Sequence, residues 1–329
     1  MEPGTAIGNR DPDIGPFLAR LRNPLTSRRT RIAIVADLHL SSDADGTWKL
    51  LHRTERGLET AIEDVNARDV DGVVFAGDLT ASGAEREFRR FEELVEDLEA
   101  PWIAIPGNHD VRSWDGDDRS ELPTASWFAS SYADGSFPVV ARFGGVDLVG
   151  LNSASTPDDR LTEWSGDVSD DQLEALRERL PALENPLVVC HHTLRSVPET
   201  PAAEPWEWFT LDRSEALVDV LTDHDVPLVV SAHHHLPAAS VRDGLREVIS
   251  PAVCSFPRAY SLLEIDERGT TIQLVPCSDR EGLTEAYWHA RTGEALGQGV
   301  LEMACSRLDR LPLLDEWAED DPAASEVSR

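Results

Sequence analysis

The chain has 329 residues, 41% of them apolar, enough to bury a full-sized core as one large domain or two small ones. Acids dominate: 61 Asp and Glu against 30 Lys and Arg leave a net charge of -31, and Lys49 is the single lysine among those cations. A surface this acidic repels nucleic-acid phosphates, and no apolar run approaches the length of a membrane span.

Residues 1–30 carry Pro3, Pro12, Pro16 and Pro24 with no sustained period, and read as an arm, loose or packed over the domain. The β-branched run from Arg31 to Ala36 predicts a buried strand. Helical spacing follows from Trp48 to Arg68, with Leu50, Leu51, Leu58, Ile62 and Val65 as its apolar positions. Gly72–Ala76 predicts a second strand, Glu85–Leu98 a second helix with Phe88 and Phe91 on its apolar face, and Trp102–Ile105 a third strand. Strands alternating with helices in this way predict βαβ units and a parallel sheet. Further on, Pro138–Phe143 and Val146–Leu151 flank Gly144 and Gly145 as a hairpin. A helix over Asp170–Leu180 is capped by Ser169 or Asp170, and Leu187–Cys190, Ser214–Leu221 and Leu228–Ser231 read as strand, helix and strand. Strands around Ala239–Arg242, Arg246–Ile249, Tyr260–Ile265 and Thr271–Val275 complete the order. It fits an α/β (α+β) fold, a four-layer αββα sandwich of two mixed sheets flanked by helices. The chain divides into the arm (1–30), the main domain (31–280) and a C-terminal extension (281–329) with one helix and an acidic tail that reads as disordered.

Five short blocks fall directly after predicted strands, where α/β proteins place their sites: Asp37-Leu38-His39, Gly77-Asp78, Gly107-Asn108-His109-Asp110, His191-His192 and His233-His234-His235. Any one of them is weak, because a lone histidine is more often a satisfied structural residue than a ligand. All five together supply what two divalent ions need: a carboxylate able to bridge, and oxygen and imidazole donors that suit Mn²⁺, Fe or Zn²⁺. Gly77 and Gly107 permit the tight turns that bring backbone close to a metal or phosphate.

This order of D-x-H, GD, GNHD, HH and HxH resembles the calcineurin-like metallophosphoesterase superfamily, over roughly Arg31 to Val275. The stretch from Ile105 to Asp110, with Gly77-Asp78-Leu79-Thr80, is most similar to the class III cyclic-nucleotide phosphodiesterases. The resemblance implies a first ion on Asp37, His39 and His235, a second on Asn108, His191 and His233, and Asp78 bridging them. It further implies His109 as a catalytic residue that meets the phosphate and protonates the leaving oxygen, with Asp110 holding its imidazole. A hydroxide bridging the ions, Mn²⁺ first among the candidates, would attack a small phosphodiester such as a cyclic nucleotide. A phosphomonoesterase or pyrophosphatase on the same metals is the alternative, and a scaffold that lost catalysis is the non-enzymatic one. In one respect the chain departs from the family, with Ala232 where a glycine usually precedes H-x-H, which puts the strength of metal binding in question.

His192 reads as substrate-facing or as a support behind the ligands, and His234 as structural or exposed. Arg112 could meet a phosphate or pair with a surface acid. Trp206, Trp208 and Phe209 could wall a pocket or pack under their own loop, and Val111–Phe137 reads as a substrate-shaping loop. Cys190, Cys254, Cys277 and Cys305 lie far apart and read as buried small hydrophobes in a reducing compartment. With no leader visible in Met1–Asn9, a cytoplasmic protein acting on a small phosphorylated substrate is the expectation, without nucleic acid or membrane as partner. The acidic balance with almost no lysine also resembles salt adaptation, since charge is screened within about 3 Å in molar salt.

Overall fold

Four β-branched runs with no polar face can only sit with both sides covered, and they set the architecture. The computed structural model describes residues 15–41, 46–111, 123–154, 164–195, 197 and 206–318. In chain order its elements are β1 (Phe17–Leu21), β2 (Thr30–Val35), α1 (Thr54–Arg68), β3 (Gly72–Ala76), α2 (Glu85–Val95), β4 (Trp102–Ile105), α3 (Ala125–Tyr132), β5 (Val139–Phe143), β6 (Val146–Gly150), α4 (Asp170–Arg179), β7 (Leu187–Val189), α5 (Ser214–Asp223), β8 (Leu228–Ser231), β9 (Ala238–Arg242), β10 (Leu245–Ile249), β11 (Ala259–Asp266), β12 (Gly269–Pro276), α6 (Arg280–Thr292), α7 (Ala295–Leu308) and β13 (Leu314–Asp315).

Among the described residues the strands form two mixed sheets. One has the order β13-β1-β12-β11-β2-β3-β4 and the other β5-β6-β7-β8-β10-β9. The runs read as buried strands pair in parallel, β2 with β3 and β3 with β4 in the first sheet, β6 with β7 and β7 with β8 in the second. Between the sheets lies a core that includes Ile32, Ile34, Val74, Ile105, Val189 and Val230. A second core packs α1, α2 and α3 on the outer face of the first sheet, and a third packs α4 and α5 on the outer face of the second. Each fully buried Val, Ile or Leu in these layers contributes about 1.5–3 kcal/mol relative to exposure. The αββα sandwich expected from the pattern is the fold.

The differences lie in the connections and at the ends. The first helix starts at Thr54, not Trp48, because Leu50 donates its N–H to the Cys254 carbonyl at 2.7 Å and holds residues 46–50 as a turn. Residues 17–21, placed in the arm by their prolines, form β1 between β12 and β13. Within the expected substrate-shaping loop, Thr124 caps α3 by accepting from the Trp127 N–H, and Phe128 and Tyr132 pack onto Phe88. The C-terminal extension holds two helices, α6 and α7, which pack on each other and enclose a fourth apolar cluster with Trp48, Trp206 and Phe209. Residues 319–329, the greater part of the expected acidic tail, lie outside the described residues.

Candidate metal centre

Each block of chemistry-bearing residues follows the C-terminal end of a parallel strand. Asp37 and His39 follow β2, Asp78 follows β3, Asn108 and His109 follow β4, His191 follows β7, and His233 and His235 follow β8. Five of these side chains sit on left-handed backbone: Asp37 at φ 52°, His39 at 47°, Asp78 at 53°, His233 at 66° and His235 at 57°. Such a conformation is costly for residues with a Cβ and accumulates where a site is over-determined by its surroundings. Two glycines make room. A Cβ on Gly77, itself at φ 91°, would enter the His191 ring, and one on Gly107 would enter the Asp78 carboxylate. Ala232 has no left-handed backbone and is fully buried, so the missing glycine strains nothing here.

The donor atoms converge in two groups joined by one carboxylate. His39 Nε2 lies 3.1 Å from His235 Nε2 and 3.3 Å from Asp78 Oδ2, while Asp37 Oδ1 lies 3.5 Å from His235 Nε2. On the other side His191 Nε2 lies 3.2 Å from His233 Nδ1 and 3.5 Å from the same Asp78 Oδ2. Neither oxygen of Asp37 accepts a hydrogen bond although the side chain is fully buried. An unpartnered buried carboxylate is among the costliest features a core can hold. Imidazoles and carboxylates closing on such a group fit divalent cations.

The remaining ring nitrogens are tied down. His191 Nδ1–H donates to the Ala76 carbonyl at 2.9 Å, and His233 Nε2–H to the Trp164 carbonyl at 3.0 Å. His235 Nδ1 lies 3.0 Å from Ser255 Oγ. Fixing one nitrogen sets the tautomer and turns the other toward the centre. His109 follows the same rule outside the group: its Nδ1–H donates to the Ala81 carbonyl at 2.7 Å, and its ring stands edge-on to His39 at 4.6 Å.

Burial governs the electrostatics. It pushes Asp37 up to about 7, with the Asp78 charge adding to the effect. His39, His233 and His235 are held well below the usual imidazole range, first by burial, and are therefore neutral, as ligands must be. Burial would raise Asp78 too, but the neighbouring His191, itself pushed up to about 9 against its own burial by that carboxylate, leads the groups that keep it well below the usual carboxylate range.

One expected role is corrected. Asp110 does not hold His109. Its carboxylate accepts the N–H groups of Leu79, Thr80 and Gly107 at 3.1, 2.9 and 3.0 Å and the Thr80 hydroxyl at 2.8 Å, so it joins the loop after β3 to the loop after β4. His192, open between a substrate-facing and a supporting place, is fully buried, its Nδ1 is 2.9 Å from Ser153 Oγ, and its ring packs against His233, close enough to His191 and His233 to be a further donor. Phe209 takes the packed place of the two open to it: it stacks on Trp164 and supports the His233 ring edge-on at 5.1 Å. His234 is buried beside the Thr193 hydroxyl, and Trp127 lies on α3 against Phe88. Arg112 and the side chain of Trp208 lie outside the described residues.

Other residues at the centre carried no local signal. Lys49 Nζ reaches to 3.2 Å from His39 Nε2. Trp48 lies 5.2 Å from the His235 ring, and Cys254 Sγ lies 3.5 Å from its Nδ1, close enough to His39 and His235 to count among the possible donors. Glu247, buried on β10, accepts the Leu194 N–H at 2.7 Å and the Ser231 hydroxyl at 2.9 Å, joining the loops that carry His191 and His233. On α7, Gly297 and Gly299 lie so close to Trp48 and Trp206 that an added Cβ would come within 2.5 and 2.9 Å of those rings.

A model of the calcineurin-like phosphoesterase family matches residues 30–237. A probable cyclic nucleotide phosphodiesterase of Pseudoalteromonas sp. is 28% identical over 166 residues, 49% of this chain and 56% of that protein, so the match spans just over half of that relative. Another, from Vesicomyosocius okutanii, is 22% identical over 222 residues, covering 66% of this chain and 84% of its own. A dimetal phosphatase from Danio rerio shares the fold with a TM-score of 0.61 at 15% identity, over 76% of this chain and 97% of the other. Among the described residues no helix is long and apolar enough to cross a membrane.

Proposed function

The chain belongs to the calcineurin-like phosphoesterase family and is a phosphoric ester hydrolase with a dimetal-type His/Asp site; from that premise we propose that it hydrolyses a small phosphodiester of the cyclic-nucleotide kind. The single observation that carries the chemistry is Asp78 Oδ2, which lies within 3.5 Å of an imidazole nitrogen from each donor group. In this reading Asp37, His39 and His235 would hold one divalent ion and Asn108, His191 and His233 the other, with Asp78 available to both. When bound, the pair supplies Lewis acidity and an activated water for in-line attack on phosphorus.

The chain's own residues orient and protonate. His109 is anchored through Nδ1 on Ala81 and through its backbone N–H on Asp78 Oδ1 at 3.0 Å, which leaves Nε2 to face the leaving oxygen. Asp110 and Glu247 keep the loops in register. The diester preference is supported by the similarity to probable cyclic nucleotide phosphodiesterases. Manganese is the first ion to try, since imidazole and carboxylate donors of this type also accept iron and zinc.

The test is a substrate panel on metal-stripped protein: a cyclic nucleotide, bis-p-nitrophenyl phosphate and p-nitrophenyl phosphate, with and without Mn²⁺, in low and in molar salt. Diester turnover that returns only with the ion is expected. Faster turnover of the monoester would replace the diester reading, and no return of activity with any divalent ion would end the enzymatic one.

A further inference from the structure

We propose that Lys49 is a substrate-contacting residue that binds the phosphate group at the first metal position; this rests on the phosphoesterase reading above. The chain spends 29 of its 30 cations as arginine and only one as lysine, and among the described residues the lysine is the cation that reaches the donor group. Its Nζ lies 3.2 Å from His39 Nε2, on the ring whose neighbour on another side is His109.

The placement is built. Lys49 N–H donates to Thr47 Oγ1 at 3.1 Å, the next residue is tied to the Cys254 carbonyl, and the ammonium sits 5.6 Å from the Trp48 ring centre. Trp48 is in turn set between His235 and Gly297 of α7. Among the described residues no Asp or Glu makes an ion pair with Lys49.

A ring nitrogen cannot serve a metal ion and a lysine proton together. Once His39 Nε2 is committed as a ligand, the ammonium needs another acceptor within the same reach. Among the described residues the carboxylates near Lys49 are Asp37 and Asp78, both of them called on by the ions, so an arriving phosphate supplies the anionic oxygens that the ammonium then needs. A compact ammonium with three rotatable donors suits a tetrahedral anion whose charge shifts during reaction, and it fits beside Trp48 where a planar guanidinium is larger.

The probe is inorganic phosphate, titrated by calorimetry into protein loaded with Mn²⁺ and freed of excess ion. Lys49→Met is expected to keep the metal content of the wild type, to bind phosphate about tenfold more weakly, and to raise KM for bis-p-nitrophenyl phosphate more than it lowers kcat. Lys49→Arg should recover only part of the lost affinity, because it keeps the charge but places a larger planar group beside Trp48. Unchanged phosphate affinity in Lys49→Met overturns the proposal, and so does a changed metal content with phosphate affinity intact. A second measurement needs no variant: Lys49 carries the chain's only ε-amine, so its modification by trinitrobenzenesulfonate can be followed by peptide mass. Saturating phosphate should slow that labelling about tenfold, and equal rates with and without phosphate would also overturn the assignment. If the wild type turns over no phosphoester at all, the functional reading fails, while the phosphate titration still decides the role of Lys49.

Discussion

On the side of the seven-stranded sheet, the loops that carry Asp37, His39, Asp78 and Asn108 hold one another through their backbones. Asp37 N–H donates to the Gly77 carbonyl, His39 N–H to that of Asp78 and Leu40 N–H to that of Leu79, at 2.9–3.1 Å. On the side of the six-stranded sheet, His191, His233 and His235 are instead steered by the second nitrogen of each ring, on Ala76, Trp164 and Ser255. Each side is then closed by one buried acid, Asp110 in the first and Glu247 in the second. Burial pushes both acids up to about 7. The contrast shows two ways to place a donor, and the first side, His39 included, relies on main-chain ties. The three imidazoles of the second side, which can swing about two bonds, are each fixed by a partner on the ring itself.

Asp78→Ala attacks what the two sides share and should have the largest effect. Both ions should be lost and turnover should fall by about 10³-fold or more, as read by metal analysis and diester hydrolysis. Two bound ions per chain in this variant would dissolve the comparison by removing its common member. Asp110→Ala breaks the first side alone. It strips partners from three N–H groups and a hydroxyl, and should cost about 3–5 kcal/mol in urea unfolding. A loss below about 1 kcal/mol would mean that the main-chain ties suffice without the acid.

Glu247 sharpens the comparison through pH. Its folded-state value of about 7 lies above the ordinary 4.5 of a glutamate, so in between the folded chain keeps a proton that the unfolded chain has lost. The stability this contributes is fully present below about 4.5 and is lost as pH rises to about 7, up to about 3 kcal/mol in all. Glu247→Gln cannot ionise, so its stability relative to the wild type should climb over that interval by about 1–3 kcal/mol in pH-dependent unfolding. Parallel curves would show that this acid ionises on the same terms folded and unfolded. The smallest effect belongs to Ser255→Ala, which frees one imidazole nitrogen. First-site metal affinity should weaken by about tenfold while the fold changes by no more than about 1 kcal/mol. Equal affinity would remove ring steering from the account of His235.

Strand order and the five site blocks were legible in the sequence because both arise from local rules. Buried strands need apolar runs, and donors aimed at a point need turns after them. Asp110 was legible as important but not in its role, since adjacency to His109 suggests a contact that the turn does not make. Lys49 and Glu247 were not legible. A helical period runs through Lys49 on paper, whereas the Leu50–Cys254 hydrogen bond, between segments far apart in sequence, unwinds it. Glu247 occupies an ordinary alternate position of a strand, and only the packing of α5 and the loop after β7 buries it. β1 escaped for the same reason: five residues among prolines become a strand because β12, near the other end of the chain, offers an edge.

Every proposed ligand lies inside the stretch that matches the family, residues 30–237, yet the rings flanking the site rest on α7, well past its end. Trp48 and Trp206 press on glycines two positions apart in that helix, hence on widely separated faces, so α7 is a wedge between the two lips of the site. A chain trimmed to the matched stretch would therefore keep all its donors while losing the wedge, along with β11 and β12 from the first sheet. For anyone choosing where to cut or fuse this protein, the packed unit runs on past the second C-terminal helix to β13, well beyond the last histidine.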